Sequence, residues 1–331
     1  MTGAVGGNVA NKFRQTFRVV QKDALHWFPG HMSRGLKQMQ QRLKTVDCII
    51  EVHDARVPIS GRCHEFNHTI TGLKPHIFVL NKKDLADQNY NDKIIEKLNF
   101  EGISNVLFTN FTKDTDPGMK KILPLAKKLI EESNRYNRTF EPEFSIMIIG
   151  VPNVGKSSLI NRLRNVHLGK SNATHVGAVA GITRSVLTRI KISEKPSVYV
   201  LDTPGILTPR VSNVYDGLKL ALVGCLQDHL VGEETIADYL LFWLNKHERF
   251  EYVKVLGLPE PKDNILEVLS MIAAKLGRAK KIKNFDGKYV MKLDLVSAAE
   301  YFIRLFRTGQ FGHFCLDIDQ LKSNDEEMEL M

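Results

Sequence analysis

Up to residue 202, short apolar runs alternate with polar breaks, and many of the runs are rich in β-branched residues. They predict strands near 46–53, 76–80, 105–109, 144–149, 183–192 and 197–201. Short apolar runs of this composition, separated by polar segments, are typical of strands. This part of the chain is therefore predicted to be an α/β domain with a mostly parallel, six-stranded sheet between helices.

Beyond residue 205 the pattern changes to longer helical repeats. These repeats predict helices at 215–225, 234–247 and 264–276. The predicted organisation is a basic N-terminal segment at 1–25, the α/β domain at 26–210, a smaller helical domain at 211–318 and an acidic tail at 319–331. The tail is predicted to be disordered because it is polar and terminal.

The run at 144–149 is followed by the sequence G-V-P-N-V-G-K-S-S, which contains the pattern G-x-x-x-x-G-K-[ST]. Between a strand and a helix, this pattern predicts a phosphate-binding loop. Backbone N–H groups wrap the phosphates, Lys156 adds positive charge, and Ser157 can ligate Mg²⁺. The residues expected around the phosphates are Asn153, Val154, Gly155, Lys156, Ser157 and Ser158.

A second motif, N-K-K-D, follows the predicted strand at 76–80 and comprises Asn81, Lys82, Lys83 and Asp84. The Asp84 carboxylate can accept two hydrogen bonds from guanine, at N1–H and at the exocyclic amine, whereas adenine has neither donor there. Each buried polar contact left unmade costs roughly 1–3 kcal/mol. The motif therefore favours GTP over ATP.

A third motif, D-T-P-G, ends the predicted strand at 197–201. Asp202 is the expected metal-side carboxylate, and Gly205 has no side chain, so its N–H can approach a phosphate closely. Between the phosphate loop and this motif lies Gly181-Ile182-Thr183. Thr183 is the expected second hydroxyl ligand of Mg²⁺, although a threonine that begins a strand is often only a strand former.

The order of the motifs indicates a circular permutation. GTPases of the usual arrangement run from the phosphate loop through the threonine and D-x-x-G to N-K-x-D, whereas here N-K-K-D comes first. The same sheet forms if the chain is cut elsewhere and the old termini are joined at the surface. The polar segment at 131–143 suits such a connector.

These motifs together resemble the circularly permuted GTPases of the ribosome-assembly group, and in particular a mitochondrial branch of that family. The resemblance is carried by Trp27-Phe28-Pro29-Gly30-His31-Met32, Asp54-Ala55-Arg56-Val57-Pro58, and the N-K-K-D, phosphate-loop, Gly181–Thr183 and D-T-P-G segments. It implies GTP hydrolysis with Mg²⁺, a K⁺ ion at Asn153, and a monomer that binds the large ribosomal subunit and its rRNA. It also implies peripheral contact with the mitochondrial inner membrane.

Two further site assignments follow from the resemblance. The family supports the guanine from its other side with a small-residue turn, and this chain has Phe108-Thr109-Asn110 there, which places that role on Thr109 and Asn110. Ile206 occupies the position where many GTPases carry the glutamine that orients the attacking water. Since isoleucine cannot orient water, the family's candidate for catalysis is His31, although a lone histidine near a helix start is usually a packing residue.

Composition agrees with two domains and a polyanionic partner. With 331 residues, 43% of them hydrophobic, the chain can bury a full α/β core and still form a second domain. The formal net charge is +9 and the sequence pI is near 9.2. The basic run at 275–283 is a candidate for rRNA binding, but such runs are more often solvated faces. The chain contains no C-x-x-C pair that would indicate a zinc site. None of its apolar runs reaches the roughly 18 residues that span a bilayer.

The N-terminal segment at 1–25 carries Lys12, Arg14, Arg18 and Lys22 among apolar residues, with no acid before Asp23. It resembles a mitochondrial transit peptide. A basic amphipathic helix that binds rRNA would have the same composition. The family resemblance favours the mitochondrial matrix and the matrix face of the inner membrane, with a cytoplasmic location as the alternative.

Two other functions stay open at this point. The chain could be a signalling GTPase acting on a protein partner, in which case its basic surface serves only solubility. It could instead be a GTP-gated RNA-binding module whose hydrolysis is incidental.

Overall fold

The structure is a computed structural model that describes residues 13–18, 43–62, 74–113, 115–135, 138–169, 189–202, 213–283, 286–287 and 289–321. All elements named below lie within these ranges.

The centre of the molecule is one six-stranded sheet, as the sequence predicts. Its strands are β1 (Cys48–Asp54), β2 (His76–Asn81), β3 (Val106–Phe108), β4 (Phe144–Ile149), β5 (Arg189–Glu194) and β6 (Ser197–Asp202). The spatial order is β3-β2-β1-β4-β6-β5, and only the β5–β6 pairing is antiparallel. Strands β1 to β3, which come first in the sequence, are joined to strands β4 to β6 by the pairing of β1 with β4. This arrangement confirms the permuted order.

Strands β1 and β4 are buried along their whole length. In β4 the sequence F-S-I-M-I-I is nearly continuous in apolar residues, because a central parallel strand is covered on both faces. Ile49 of β1 packs with Met147 and Ile149 of β4 in one apolar cluster. A second cluster includes Phe78 and Leu80 of β2.

Four helices belong to the same compact unit as the sheet. They are α1 (Asn91–Phe100), α2 (Pro117–Glu131), α3 (Lys156–Leu168) and α4 (Val214–Leu222). Helix α2 begins at a strong signal, since the Asp116 carboxylate accepts a hydrogen bond of 2.9 Å from the Met119 N–H and Pro117 occupies the first helical position.

The second compact unit is mainly helical. It contains α5 (Asp228–Val231), α6 (Glu233–Lys246), α7 (Glu251–Leu256), α8 (Ile265–Lys275) and α9 (Leu295–Arg307). Helix α9 packs against α6 and α8. Phe302 and Phe306 are buried, so their helical spacing reflects a packed core.

The sequence places the basic run at 275–283 in a mostly helical domain. The second half of this run is instead one strand of a β-hairpin. Strands β7 (Ala279–Lys283) and β8 (Tyr289–Leu293) pair in an antiparallel manner. Gly277 has a φ of 62°, a left-handed conformation that ends helices, and Asp286-Gly287 supplies a turn sequence with Gly287 at 79°.

Contacts divide the chain at other points than the predicted boundary at 211. One unit comprises residues 13–18 and Asp228–Gly312; the other, among the described residues, runs from 43 to 227 and returns with 313–321. Helix α4 thus belongs with the sheet. Its Lys219 forms a buried ion pair of 3.1 Å with Asp317, which belongs to the same unit.

The C-terminal strap, residues 313–321, is fixed by several contacts with the α/β unit. The Leu316 N–H donates to the Arg56 carbonyl at 2.7 Å, and Phe314 bridges to Ala86 just after N-K-K-D. Asp319 bonds Lys219 at 3.0 Å and Leu321 is buried. Residues 319–321, which the sequence assigns to the tail, thus include an ion pair and a buried leucine; the rest of the tail lies outside the described part of the chain.

Candidate nucleotide-binding site

The predicted phosphate loop connects β4 to α3. Gly150 and Gly155 have φ angles of 143° and 106°, and Asn153 lies between them at 59°. A Cβ at Gly155 would come within 2.5 Å of the Asn81 Nδ2 atom, and a Cβ at Gly150 would collide with the Val52 carbonyl oxygen. Glycine is required at both positions by conformation and by space.

Lys156, the first residue of α3, is buried within this loop. Its Nζ atom donates to the carbonyl oxygens of Gly150 and Val151 at 3.0 and 2.9 Å. The loop thus holds the ammonium group at the helix N-terminus, where backbone N–H groups and the helix dipole favour an anion. Ser157 and Ser158 lie in the first turn of the same helix.

Asn81 joins three of the predicted segments. Its Nδ2 atom donates to the carbonyl of Val154 in the phosphate loop at 2.7 Å. Its Oδ1 atom accepts from the Phe111 N–H at 3.1 Å, and the Thr109 hydroxyl lies 3.5 Å away. Because Asn81 is buried, these bonds fix the end of β2 against the phosphate loop and the turn after β3.

The turn after β3 places Thr109 and Asn110 beside N-K-K-D. The Thr109 N–H donates to the Leu80 carbonyl at 2.8 Å, and the Thr109 carbonyl accepts from the Lys83 N–H at 3.1 Å. The Asn110 Oδ1 atom accepts from the backbone N–H and the hydroxyl of Thr112 at 2.9 and 2.6 Å. Its Nδ2 atom is buried, with no hydrogen-bond partner in the described structure.

Lys82 is positioned by a buried carboxylate that the sequence did not connect with it. Its Nζ atom lies 2.9 Å from Asp54, which also accepts 2.9 and 2.7 Å bonds from the Arg56 guanidinium. Burial alone would raise the pKa of the Asp54 carboxyl, but Arg56 and Lys82 hold it well below its usual value. Asp54 and Arg56 thus form a buried ion pair that extends to the base-reading motif.

The other two residues of the motif differ in environment. Lys83 forms an ion pair with Asp116, the N-cap of α2, so the structure gives its ammonium a role in packing. Asp84 is exposed, and its carboxylate is open to a ligand. Sequence pattern alone cannot separate these neighbours, because the partner of Lys83 lies on a distant element.

The structure also places the described metal-site candidates. Asp202 ends β6 and pairs in register with Ile148, two residues before Gly150. Ser157 follows the phosphate loop directly. Hydroxyl and carboxylate groups are the hard oxygen donors that suit Mg²⁺. Thr183, Gly205 and His31 lie outside the described residues.

Asn153 ties the phosphate loop to the turn after α4. Its Nδ2 atom donates to the Gly224 carbonyl at 2.8 Å. Asparagine tolerates its left-handed conformation better than most residues do. The sequence gives no signal for this contact, since Gly224 lies in a turn far along the chain.

No helix among the described residues has the length and apolar character needed to cross a membrane.

The sheet order, the phosphate loop and the adjoining N-K-K-D loop define a P-loop GTPase with permuted connectivity. The family described as "50S ribosome-binding GTPase" matches residues 145–272. Mitochondrial GTPase 1 of Aedes aegypti is 55% identical over 94% of this chain and 99% of its own length. Mitochondrial ribosome-associated GTPase 1 of Bos taurus is 50% identical over 95% of each chain, and that of Mus musculus is 51% identical over 95% of this chain and 96% of its own.

A solved structure of GNP-bound YlqF from T. maritima has the same fold, with a TM-score of 0.53 and 23% identity, over 84% of this chain and 95% of that one. GDP-bound YlqF gives a TM-score of 0.51 at 24% identity over 83% and 96% of the two chains. The chain belongs to the family of mitochondrial ribosome-associated GTPase 1. The predicted fold, family and enzyme class are confirmed.

Proposed function

We propose that this GTPase couples GTP hydrolysis to assembly of the large mitochondrial ribosomal subunit and to control of mitochondrial translation, with rRNA as a direct partner. The observation that carries the proposal is the set of side-chain hydrogen bonds of Asn81, here called the Asn81 hub, which fix the base-reading loop to the phosphate loop. The chain is also similar over nearly its whole length to ribosome-associated GTPases. The hub supports a site for an entire guanine nucleotide.

Base recognition is assigned to Asp84, with Asn81 and Lys82 shaping the pocket and Thr109 and Asn110 closing its other side. The exposed Asp84 carboxylate accepts from guanine N1–H and the exocyclic amine. The buried and unpartnered Nδ2 atom of Asn110 supports this assignment, because an unsatisfied donor beside a binding site is a ready partner for a ligand acceptor.

Hydrolysis is assigned to positioning and charge stabilisation. Phosphoryl transfer requires little covalent chemistry from the protein. Lys156 leaves the loop carbonyls to stabilise charge on the β- and γ-phosphates, and loop N–H groups, together with that of Gly205, orient them. Bound Mg²⁺ would neutralise developing charge, held by Ser157, Thr183 and Asp202.

His31 is the proposed group that orients the attacking water, because Ile206 cannot do so. Asn153 is the proposed K⁺ ligand through its amide oxygen, and its bond to Gly224 supports a fixed amide orientation. We expect slow hydrolysis by the isolated protein and stimulation by large subunits. His31→Ala should remove most of the stimulation, measured as phosphate release, and leave GTP affinity unchanged; unchanged stimulation would assign His31 to structure.

The proposed rRNA contact is the β7–β8 hairpin. Lys280, Lys281 and Lys283 are exposed, and so is Tyr289, whose ring lies 4.5 Å from the Lys281 Nζ atom. Lysines interleaved with an accessible aromatic ring suit both phosphates and an unstacked base. This arrangement favours RNA over a purely solvated face.

The proposed location is the mitochondrial matrix, with peripheral contact to the inner membrane, and the proposed state is a monomer. The names of the relatives in cattle and mouse, both mitochondrial, support the organelle. The net charge of +9 supports attraction to an anionic surface.

Sedimentation with purified large mitochondrial subunits tests the proposal. Comigration that changes between a GTP analogue and GDP is expected. Binding to naked rRNA regardless of nucleotide would indicate a gated RNA-binding module instead, and failure to bind subunits or rRNA would favour a signalling GTPase with a protein partner.

A further inference from the structure

Residues 13–18, here called the N-terminal anchor, are part of the helical unit although the sequence predicts a separate segment. They share a compact unit with Asp228–Gly312. Three of their side chains, those of Phe13, Arg14 and Phe17, make the contacts that follow. The anchor therefore has the sequence F-R-x-x-F.

Arg14 is bound on two sides by acidic residues of the helical unit. Its Nη2 and Nη1 atoms donate to the two oxygens of Asp238 at 2.7 and 3.2 Å. Its Nε atom and its backbone N–H donate to the two oxygens of Asp263 at 3.2 and 3.0 Å, and Nη2 also reaches the Asp263 carbonyl at 3.0 Å. A planar guanidinium can satisfy this set of acceptors, whereas a lysine ammonium cannot.

Both phenylalanines of the anchor pack on aromatic rings. The Phe17 side chain is buried, with its ring centroid 5.4 Å from that of Tyr239 and 5.5 Å from that of Phe242, both on α6. Phe13 lies 5.7 Å from Phe250. These distances are those of favourable aromatic pairs.

The surface that receives the anchor is held in shape by its own buried bonds. The Asn245 Nδ2 atom donates to the Lys262 carbonyl at 2.8 Å, and the Tyr252 hydroxyl donates to the Asn245 Oδ1 atom at 2.8 Å. Asn245 and Tyr252 are both buried. The turn that carries Asp263 is thus positioned for Arg14 by residues the anchor does not supply.

Loss of the anchor would leave this surface poorly satisfied. Asp238 and Asp263 carry like charges, and both bond the guanidinium of Arg14. Without the anchor, these two carboxylates would lose the cation that they share. Tyr239 and Phe242 would lose the ring that covers them. Arg18, by contrast, is exposed, so two arginines of one short segment have opposite environments.

We propose that the N-terminal anchor is a built-in peptide ligand of the helical unit and is retained in the mature protein. Any proteolytic removal of a leader then cuts before Phe13, and the removable part is limited to residues 1–12 and not to the predicted 1–25. The structural half of this inference does not depend on the location of the protein or on its GTPase cycle.

Intact-mass and N-terminal peptide analysis of the protein purified from mitochondria tests retention. A mature chain that begins at or before Phe13, whether or not a leader is removed, is the expected result. A mature N-terminus beyond Phe13 overturns the proposal. That outcome would not contradict the proposed ribosomal role, because binding to large subunits tests that role independently.

Paired arginine substitutions test the structural role in the full chain. Arg14→Ala and Arg18→Ala remove the same charge, so both should affect a basic leader equally. Only Arg14→Ala should lower the melting temperature, by about 2–4 °C, because Arg14 bonds Asp238 and Asp263 in partly buried ion pairs whereas Arg18 is exposed. Arg14→Lys should restore little of that loss. Equal melting temperatures for the two alanine variants would contradict the proposal.

Phe17→Ala provides a second measurement if Arg14→Ala fails to fold. It should expose the face of α6 that carries Tyr239, read as faster amide hydrogen exchange in 233–246, while exchange in the sheet stays as in the wild type. Unchanged exchange in α6 would mean that the anchor does not cover this face in solution.

Discussion

Base selection rests on the single carboxylate of Asp84, whose neighbours Asn81, Lys82 and Lys83 are all engaged with protein groups. Asp84→Asn should weaken GTP binding by roughly 100-fold, because one acceptor oxygen becomes an amide donor facing guanine donors. The variant should gain xanthosine triphosphate, whose C2 oxygen can accept from the new amide. Titration calorimetry with both nucleotides measures the exchange.

The matched control is Asp92→Asn on α1, an exposed aspartate that touches none of these groups. It should bind GTP as the wild type does. An Asp84→Asn variant with unaltered GTP affinity would show that N-K-K-D does not read the base.

Gly155 is the residue where the phosphate loop and the base-reading loop come closest. Gly155→Ala should disrupt the bond between Asn81 and Val154, because the new Cβ would lie 2.5 Å from the Asn81 Nδ2 atom. We expect loss of GTP binding of roughly 10-fold or more, since the two halves of the site lose their common brace. Binding of labelled GTP checks this result.

Gly102→Ala separates this collision from backbone strain. Gly102 also has a left-handed φ, 83°, but no atom lies within 4 Å of a Cβ placed there. It should lower stability by about 1 kcal/mol and leave GTP affinity as it is. Equal binding defects in the two variants would show that backbone strain, and not the collision with Asn81, causes the loss of GTP binding.

At this scale, local motifs predicted much of the site and distant pairings were missed. Lys156 and Asn81 could be found because strand, turn and helix signals flank them in sequence. The contact of Lys82 with Asp54 could not, because it depends on strands β1 and β2 pairing in register. The same applies to Lys83 and Asp116.

Among the elements, the buried strands could be predicted closely and the exposed ones could not. β1, β2 and β4 are long apolar runs because both faces of the sheet are covered. β7 and β8 have mostly exposed side chains, including Lys281, Tyr289 and Met291. A hairpin with little buried surface leaves no hydrophobic period in the sequence, and the helices on either side dominate the pattern.

The hairpin lysines should bind RNA through counterion release. Reversing the charges of Lys280, Lys281 and Lys283 together should flatten the slope of log affinity against log salt by about 2 to 3, from a value near −4 for about five phosphate contacts. Large-subunit binding should be lost and GTP binding kept. Filter binding across a salt series measures the slope.

The control reverses three exposed lysines of the α/β unit, Lys113, Lys120 and Lys121. The net charge changes equally in both variants, so a general field effect would flatten both slopes alike. If the hairpin variant keeps the wild-type salt dependence, its lysines form only a solvated face and the RNA contact lies elsewhere.

At the scale of the whole molecule and within its described residues, the chain passes from one compact unit to the other at 227–228 and again at 312–313, and residues 13–18 belong to a different unit from residues 43–227. Each unit therefore contains a short segment from the far end of the other's sequence. The anchor lies in the helical unit, and the strap lies in the α/β unit through Asp317 and Lys219. Composition and periodicity do not reveal such exchange, because both segments are too short to show a pattern.

A single cut between the units should leave the protein in one piece. With a protease site inserted after Gln227, cleavage yields fragments 1–227 and 228–331, each holding a segment docked in the other. They should coelute in gel filtration under native conditions. Arg14→Ala combined with Asp317→Ala should release them, because the anchor then loses its ion pairs with Asp238 and Asp263 and the strap loses its buried ion pair with Lys219.

The uncut protein with the same insertion controls for damage by the inserted site. Immediate separation of the wild-type fragments would show that the covalent link at 227–228 alone holds the units together.

The contact between Arg14 and Asp263 spans 249 positions of the chain, and this separation sets an order in time. Ribosomes make the anchor near the beginning and its acidic partners near the end. Closing so long a loop adds only about 0.6 kcal/mol for each doubling of length. The delay between synthesis of the anchor and synthesis of its partners therefore matters more for folding than the free energy of loop closure does. Phe13 and Phe17 stay uncovered through most of synthesis. Once the helical unit has formed, Phe17 is buried and Phe13 is half-buried.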